Sequence, residues 1–436
     1  MSTRGRESFI YAWTFLFLAT WFSAPAVLAL ENGLARTPPM GWNSWNAFGC
    51  TGLDEKLVVG IAETMVSSGM KEAGYQYVNI DDCWQSHRDS QGIIQADSTK
   101  FPHGIKWLAD YVHSLGLKIG LYTAVGQQTC AKRPGSYGYE ELDARTYANW
   151  GVDFLKVDWC TEENFDPKLR FAAFRDALAA VDRPIVLSIA NYGVQAPWTW
   201  GPEVANMWRT TWDIANCFDC DRGWTRLLDQ QVGLEPFAGA GGWNDPDMLQ
   251  VGNGGMNESE DRAHFTMWSM LAAPLLAGND LRSMSAATRA TLTNKDVIAI
   301  NQDPAGRQAV KIWSDGAGLE IWTKVLQKSG ERAVAFLNRS SQAGRMQVDG
   351  RQLGFVSRDI QVEDLWRGQN LGVFKQSFTA TVASHDVVLL KVRGEALEVC
   401  SNFAPSPSFT CSEQAKWGKC GEDWMLDFCH QSCGRC

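Results

Sequence analysis

The sequence has no cluster of basic residues, and it has no long apolar run after its first 30 positions. Its 49 acidic residues outnumber its 40 lysines and arginines, which gives a net charge of −9. That balance argues against nucleic acid as a partner. Beyond the amino terminus, no segment is long and apolar enough to span a bilayer. The pattern Gly-x-Gly-x-x-Gly is also missing after the first predicted strand, which disfavours a nucleotide-binding fold.

The amino terminus has the pattern of a secretory signal. Arg4 and Arg6 precede an apolar run from Phe9 to Phe22, and Val27-Leu28-Ala29 supplies small residues for cleavage. We therefore predict a signal peptide at residues 1–29 and no membrane span after its cleavage. The destination would be the cell exterior, a vacuole or a lysosome. An uncleaved membrane anchor is the alternative.

Twelve cysteines fit an oxidising compartment, where they would form six disulfides. Sequons that begin at Asn257 and Asn338 fit the same route. The segment 400–436 is too short to fold on a hydrophobic core, so we predict that disulfides hold it. A zinc site is the alternative there, and the compartment and the spacing disfavour it. The two sets of six are Cys50, Cys83, Cys130, Cys160, Cys217 and Cys220, and Cys400, Cys411, Cys420, Cys429, Cys433 and Cys436.

Eight short apolar runs in the first three hundred residues each end in polar or acidic residues. Between them, apolar residues recur at helical spacing, as at Leu57, Ile61 and Met65. Alternating strands and helices imply a parallel sheet, and this number of units matches the size of a (β/α)8 TIM barrel, an α/β fold. We assign residues 30–308 to the barrel, with a doubly wound open sheet as the alternative. The predicted strands are Pro39–Trp42, Tyr77–Ile80, Lys118–Tyr122, Phe154–Val157, Ile185–Ser188, Asn206–Arg209, Glu235–Ala238 and Pro274–Ala277.

Residues 309–395 have a different pattern. Short runs of alternating polarity, such as Leu319–Trp322, Arg332–Leu337 and Val387–Leu390, indicate an antiparallel β domain. The proline-containing stretch Asn402–Pro407 is predicted to be a linker to the disulfide-rich tail.

The segment Phe154–Cys160 carries the most direct chemical signal. Alternation along a strand places Lys156 and Asp158 on the same face, at the strand's carboxyl end. We expect Lys156 to lower the pKa of Asp158, as a carboxylate nucleophile requires. A surface ion pair is the alternative. Tryptophans next to acidic strand ends, such as Trp45 and Trp212, would suit a sugar, whose C–H faces stack on aromatic rings.

Five motifs in order resemble those of glycoside hydrolase family 27, the α-galactosidases and α-N-acetylgalactosaminidases, also called melibiases. The resemblance runs from about Leu34 to the β domain. The motifs are Met40-Gly41-Trp42-Asn43-Ser44-Trp45, Ile80-Asp81-Asp82-Cys83-Trp84, Lys156-Val157-Asp158, Gly241 to Met248, and Ala299-Ile300-Asn301-Gln302-Asp303-Pro304.

This resemblance implies a retaining exo-glycosidase with a β-sandwich behind the barrel. Asp158 falls at the family's nucleophile position and Asp213 at its acid/base position. Retention needs one ionised carboxylate that forms a glycosyl-enzyme and one protonated carboxylate that releases the aglycone. We therefore expect a raised pKa for Asp213, either by desolvation near Trp212 or by the glycosyl-enzyme chemistry itself. This residue could instead cap the following helix. No cofactor and no metal are implied.

The same resemblance implies a pocket for a terminal galactose-type sugar of an oligosaccharide, glycolipid or wall polysaccharide. Asp81 and Asp82 would bind the 4- and 6-hydroxyls, which requires a bend after Ile80, because neighbours on a regular strand face opposite ways. Lys156 would lie near the 3- and 4-hydroxyls and Trp45 would stack on the ring. The remaining lining residues would be Tyr122, Asn191, Arg209 and Asp247.

The family resemblance also implies disulfides Cys130–Cys160, beside the pocket, and Cys50–Cys83, which leaves Cys217 and Cys220 to bond each other. The tail is similar to the ShK-like toxin domain, which pairs its first cysteine with the sixth, its second with the fourth and its third with the fifth. In this chain the corresponding pairs are Cys400 with Cys436, Cys411 with Cys429, and Cys420 with Cys433.

One departure concerns the sugar's 2-position. Where α-galactosidases carry Cys-Glu-Trp after the fifth strand, this chain has Ala190-Asn191-Tyr192. An asparagine can still bond a 2-hydroxyl, so galactose remains the first prediction. An α-N-acetylgalactosaminide or a β-L-arabinopyranoside is the alternative substrate. A non-catalytic sugar-binding or partner-binding module is the alternative of another class. The tail would then be an anchor to a wall or protein, or a channel blocker, although the tail lacks a basic cluster.

Overall fold

The computed structural model describes residue 30 and residues 32–160, 165–395, 410–422, 425 and 429. The predicted signal peptide and linker, with Cys400, Cys433 and Cys436, lie outside the described residues. No helix within the described ranges is long and apolar enough to cross a membrane.

The first part of the described chain forms a curled parallel sheet. Eight of its strands pair in the order β10-β1-β2-β5-β6-β7-β8-β9, all parallel, and a bridge between Leu249 and Ala277 joins the two ends. The two remaining strands, β3 and β4, form a separate hairpin. The strands are β1 (Met40–Asn43), β2 (Tyr77–Asn79), β3 (Gln85–Arg88), β4 (Ile94–Ala96), β5 (Lys118–Ala124), β6 (Phe154–Asp158), β7 (Val186–Ala190), β8 (Met207–Arg209), β9 (Trp243–Asp245) and β10 (Leu275–Ala277).

Helices cover the outside of this sheet, and the longer ones bury apolar residues in the barrel core. In the second helix, Leu57, Ile61 and Met65 are buried at helical spacing, and the carboxylate of Asp54 accepts the Leu57 N–H at 2.7 Å to start the helix. The helices are α1 (Trp45–Phe48), α2 (Glu55–Ser67), α3 (Gly104–Ser114), α4 (Glu140–Trp150), α5 (Pro167–Ala179), α6 (Trp224–Asp229), α7 (Glu258–Met270), α8 (Ala286–Leu292) and α9 (Lys295–Asn301), with 3₁₀ turns at Pro197–Thr199, Gly201–Glu203, Glu235–Phe237 and Leu281–Ser283.

The predicted seventh strand, Glu235–Ala238, is wrong. Residues Glu235–Phe237 form a 3₁₀ turn, and the strand at that place in the sheet is β9, Trp243–Asp245. Pro236 has a fixed φ and no N–H to donate to a neighbouring strand, so the turn is the local solution. The strand β9 was not predicted because glycines and polar residues surround Trp243, so this segment has no apolar run.

The second part is an antiparallel β-sandwich, as expected. A six-stranded sheet of order β11-β12-β13-β18-β15-β16 faces the pair β14-β17. Ile321 and Phe336 of the large sheet pack with Met346 and Phe378 of the small one. The strands are β11 (Val310–Ser314), β12 (Leu319–Val325), β13 (Glu331–Asn338), β14 (Gly344–Asp349), β15 (Asp359–Asp364), β16 (Gln369–Lys375), β17 (Ser377–Val382) and β18 (Asp386–Arg393).

One of the hydrophobic clusters extends from the barrel into the sandwich. Trp322 and Leu389 of the sandwich belong to the same buried cluster as Trp268 of α7. Within this interface the buried Nζ of Lys324 donates to the carbonyls of Ser269 and Ile300 at 3.1 and 2.6 Å. Those carbonyls lie at the carboxyl ends of α7 and α9, and burial lowers the pKa of Lys324 to about 7.

Of the tail, the structure describes one short helix, α10 (Cys411–Lys416), a 3₁₀ turn at Lys419–Gly421, and a disulfide between Cys411 and Cys429. Thr410 begins α10 with a reciprocal cap, because its hydroxyl accepts the Glu413 N–H while the Glu413 carboxylate accepts the Thr410 N–H. Cys420 is also disulfide-bonded.

Candidate active site

The carboxyl ends of the barrel strands bring the acidic residues to one mouth. Asp158 ends β6, Arg209 ends β8 and Asp245 ends β9, while Asp81 follows β2. Asp158 lies in register with Ala124 of β5 and Ala190 of β7. Because all the strands are parallel, these ends converge at one edge of the barrel.

Asp158 is buried, and hydrogen bonds reach both of its oxygens. Its Oδ2 accepts the Tyr122 hydroxyl at 2.8 Å. Its Oδ1 accepts the Tyr192 hydroxyl at 2.6 Å and the Trp159 N–H at 2.8 Å. Burial raises the pKa of Asp158 above its ordinary value, although Lys156 and the two tyrosines act in the opposite direction. Lys156 acts in the expected direction, but the expected low pKa of Asp158 is wrong, because desolvation outweighs the lysine.

Lys156 makes its ion pair with Asp81. The distance from Nζ to Asp81 Oδ2 is 2.9 Å, and the same oxygen accepts the Asn43 Nδ2 at 2.8 Å. Burial by itself would lower the pKa of Lys156, but Asp81, Asp158 and Asp247 raise it above its ordinary value. The lysine is therefore a fixed positive charge in the pocket.

Asp82 is held by the loop that follows β5. Its Oδ1 accepts the Thr129 hydroxyl and its Oδ2 accepts the Ala131 N–H, each at 2.8 Å. The chain bends after β2, and Cys83 has a φ of 79°. This bend lets the two adjacent aspartates bond separate groups, Asp81 with Lys156 and Asp82 with the loop, and burial raises the pKa of Asp82.

Asp213 lies at the mouth with half of its side chain exposed, 54%. Its Oδ1 accepts Arg209 Nη2 at 3.1 Å, and the same guanidinium nitrogen lies 3.1 Å from Asp247 Oδ2. Burial raises the pKa of Asp213, but Arg209, Lys156 and Arg222 outweigh it and leave the pKa below its ordinary value. The pKa rise expected from desolvation near Trp212 is wrong, because the three cations outweigh desolvation; a rise through the glycosyl-enzyme chemistry stays a prediction.

Asn191 bonds its own loop. Its Nδ2 donates to the Val194 carbonyl at 2.6 Å, and the side chain is buried. Gly193 has a φ of +78°, and a Cβ there would lie 2.4 Å from the Thr210 carbonyl oxygen, so only glycine lets this loop rest against the end of β8.

Tyr192 was not among the predicted site residues, yet it contacts the candidate nucleophile. Besides its hydrogen bond to Asp158, its ring stacks on Trp212, with centroids 4.9 Å apart and planes 1° apart. It adopts a left-handed φ of 57°, which turns the side chain inward. Its place directly after Asn191, in the triplet that departs from the family pattern, was the available signal.

Trp45 is half-buried and lies beside a cavity of about 930 Å³. The lining includes Ile214, which follows Asp213, and the side chains of Gln250 and Asp261. Neither Asp81, Lys156 nor Asp158 lines this cavity, so it adjoins the cluster of charged residues without containing it.

In the described part of the barrel there are three disulfides: Cys50–Cys83, Cys130–Cys160 and Cys217–Cys220. Cys130 Sγ is 3.8 Å from Asp158 Oδ2. Within the described residues, Cys130, Asp158 and Cys160 form a grouping of metal-ligand type, but both sulfurs belong to a disulfide and neither is a thiolate that could bind a metal.

Comparison with known proteins shows that residues 37–303 match the family model described as alpha galactosidase A, and residues 316–392 match the alpha galactosidase C-terminal beta sandwich domain. "Alpha-galactosidase A" of Cellvibrio japonicus is 48% identical over 378 residues, 82% of this chain and 92% of that protein. The crystal structure of alpha-galactosidase I from Mortierella vinacea has a TM-score of 0.80 and 39% identity, covering 84% of this chain and 99% of that one. The Saccharomyces cerevisiae enzyme, solved with raffinose, has a TM-score of 0.77 and 30% identity, covering 85% and 99%.

Proposed function

The chain belongs to the alpha galactosidase A family of glycoside hydrolases, and from this premise we propose that it hydrolyses terminal α-D-galactosyl residues with retention of configuration. The relatives' activity supports the substrate. The observation that carries the mechanism is the contrast between two carboxylates. Asp158 is buried and held by two tyrosines, whereas Asp213 is half-exposed at the mouth.

In the first step Asp158 attacks the anomeric carbon and forms a glycosyl-enzyme, while Asp213 gives a proton to the departing oxygen. In the second step Asp213 takes a proton from water, which displaces Asp158 from the sugar. The hydrogen bonds from Tyr122 and Tyr192 fix the orientation of Asp158 before attack. The carboxylate must be ionised in the first step, and the nearby charge of Lys156 favours that state.

The charged groups around Asp158 suit a galactose ring. Lys156 and Asp81 present a donor and an acceptor side by side, for the 3- and 4-hydroxyls, and Asp82 would reach the 6-hydroxyl. Trp45 would stack on the ring. Arg209 and Asp247 hold the wall that carries Asp213. We assign Asn191 to the wall at the sugar's 2-position, and its amide bonds its own loop.

We also propose that the tail is an ShK-like domain and that the chain follows the secretory route after loss of residues 1–29. The Cys411–Cys429 disulfide joins the second cysteine of the tail to the fourth, which supports the first point. The three barrel disulfides support the second. The proposed domains are the barrel at residues 30–308, the sandwich at 309–395 and the ShK-like tail at 400–436. The tail is the proposed site for a wall or protein partner.

The test is hydrolysis of nitrophenyl α-galactoside, α-N-acetylgalactosaminide and β-L-arabinopyranoside by the purified protein, with Asp158→Asn as the control for contaminating activity. We expect the α-galactoside to have the highest kcat/KM and NMR to show the α-anomer as the first product. Preference for another sugar would overturn the specificity. A β-anomer would overturn the double displacement, and no turnover of any substrate would favour a binding module.

A further inference from the structure

Trp212 is the large apolar side chain next to the candidate acid/base residue, and 55% of it is exposed. Its ring lies parallel to that of Tyr192, 4.9 Å away between centroids. Because Tyr192 covers one face, the exposed area lies on the other face and the edges. A flat aromatic surface therefore stands open at the mouth, directly beside Asp213.

The position of Trp212 is fixed from below. Tyr192 is held by its hydroxyl on Asp158 at 2.6 Å, and Arg209 lies over the Tyr192 ring with its guanidinium carbon 5.8 Å from the centroid. The neighbouring Thr211 is buried and donates its hydroxyl to the Pro246 carbonyl at 3.3 Å. The stack thus continues the wall of the catalytic pocket outward from the nucleophile.

Packing alone does not account for this exposure. Among the described residues, seven tryptophans are less than 2% exposed, as expected for side chains that stabilise the fold by packing. Exposed aromatic surface at a pocket mouth is typical of a ligand contact. Charged residues lie near the Trp212 ring. Asp213 is the next residue, and Arg222 is close enough to lower the pKa of Asp213. An apolar platform with a polar border fits a sugar ring, which has a C–H face and hydroxyl edges.

We propose that the free face of Trp212 binds the leaving group of the substrate and that this leaving group is a sugar. The inference rests on the proposed function, because the leaving group must occupy the space next to the acid/base residue. Trp212 then orients the sugar so that its glycosidic oxygen faces Asp213. Tyr192 has two separate duties, since its ring supports Trp212 and its hydroxyl positions Asp158.

The experiment compares two substrates that share galactose and differ in the leaving group. Raffinose releases a sugar, whereas α-galactosyl fluoride releases fluoride and has no ring to stack. For Trp212→Ala we expect the ratio of kcat/KM on raffinose to kcat/KM on the fluoride to fall about tenfold, as the loss of one stacking contact implies. Trp107→Ala is the matched control, because Trp107 is 41% exposed on the outer helix α3, and its ratio should equal that of the wild type.

Tyr192→Phe separates the two duties of the tyrosine. It keeps the ring under Trp212 and removes the hydroxyl from Asp158, so both substrates should slow by a similar factor and the ratio should stay within about twofold. An unchanged ratio in Trp212→Ala would overturn the proposal. Wild-type protein that cleaves neither substrate would instead overturn the proposed function, so the two failures are distinguishable.

Discussion

Lys156 forms its ion pair with Asp81, at 2.9 Å, and the hydrogen bonds to the side-chain oxygens of Asp158 come from Tyr122, Tyr192 and a backbone N–H. The lysine therefore acts on the nucleophile as a nearby charge. Desolvation of Asp158 outweighs that charge, which is why its pKa is raised. Asp213 has the opposite balance, since cations lower its pKa.

Replacement of Asp158 tests the nucleophile. In Asp158→Asn the amide cannot form the glycosyl-enzyme, and kcat should fall by at least about 10⁴-fold on every galactoside. The side chain keeps its shape, so far-UV circular dichroism and Tm should remain those of a folded protein. Asp110→Asn, on the exposed face of α3, is the control variant. Wild-type turnover in purified Asp158→Asn would exclude the proposed role.

Replacement of Asp213 should depend on the leaving group. Asp213→Ala removes the proton donor, so raffinose hydrolysis should fall by about 10³-fold, within the range expected for general acid catalysis. α-Galactosyl fluoride, whose departure needs little protonation, should lose far less. Measurement of kcat/KM on both substrates checks this. Equal losses on the two would contradict an acid role for Asp213.

The pKa directions predict reverse protonation, in which the active form carries its proton on the residue with the lower pKa. Asp158 must be ionised and Asp213 protonated, yet the pKa of Asp158 is raised and that of Asp213 is lowered. The alkaline limb of kcat/KM then reports the upper of the two values, which belongs to Asp158 in the free protein. In Asp213→Ala the requirement for a protonated acid disappears, so kcat/KM of this variant on the fluoride should rise with pH in the range where kcat/KM of the wild type on raffinose falls. A variant whose rate is already level in that range would show that the order of the two pKa values is the usual one.

Asp261 links stability to pH. Burial raises its pKa to about 6, and Glu260 and Glu258 add to the shift. Between pH 4 and 6 the folded chain keeps this proton while the unfolded chain loses it, so the free energy of unfolding falls as pH rises through that window. Asp261→Asn removes the charge, and it should raise Tm relative to wild type more at pH 7 than at pH 4.5. Asp110→Asn again serves as control, and a pH-independent difference would contradict the linkage.

The two sequons differ in accessibility. Asn338 is buried, and its Nδ2 donates to the carbonyls of Gln342, Val382 and Ala383 at 2.7 to 3.0 Å. Asn257 is exposed at the start of α7, and its cap uses only the Oδ1 atom. In a secreting eukaryotic host we expect a glycan on Asn257 and none on Asn338, as read by intact mass before and after glycosidase treatment. Asn257→Gln should then remove the entire mass shift, and a glycan on Asn338 would contradict this prediction.

Local pattern predicted most of the fold, because a run such as Phe154–Asp158 is apolar, short and followed by polar residues. It failed where two local signals conflicted, at Pro236, and where β9 carries tryptophan, asparagine and aspartate in place of an aliphatic run. The identities of Asp158 and Asp213 came from motifs. Their pKa directions did not, since these depend on burial and on groups distant in sequence, such as the Arg209 beside Asp213.

The shared core around Trp268 and Trp322, with Lys324 held between the ends of α7 and α9, makes the barrel and the sandwich depend on each other. Separating the barrel from the sandwich would remove the hydrogen-bond partners of the buried Lys324 and expose Trp268 and Trp322 to water. Neither half is therefore expected to fold stably when expressed alone or fused to another protein. Tyr192 and Trp212, at the mouth of the barrel, lie outside that shared core.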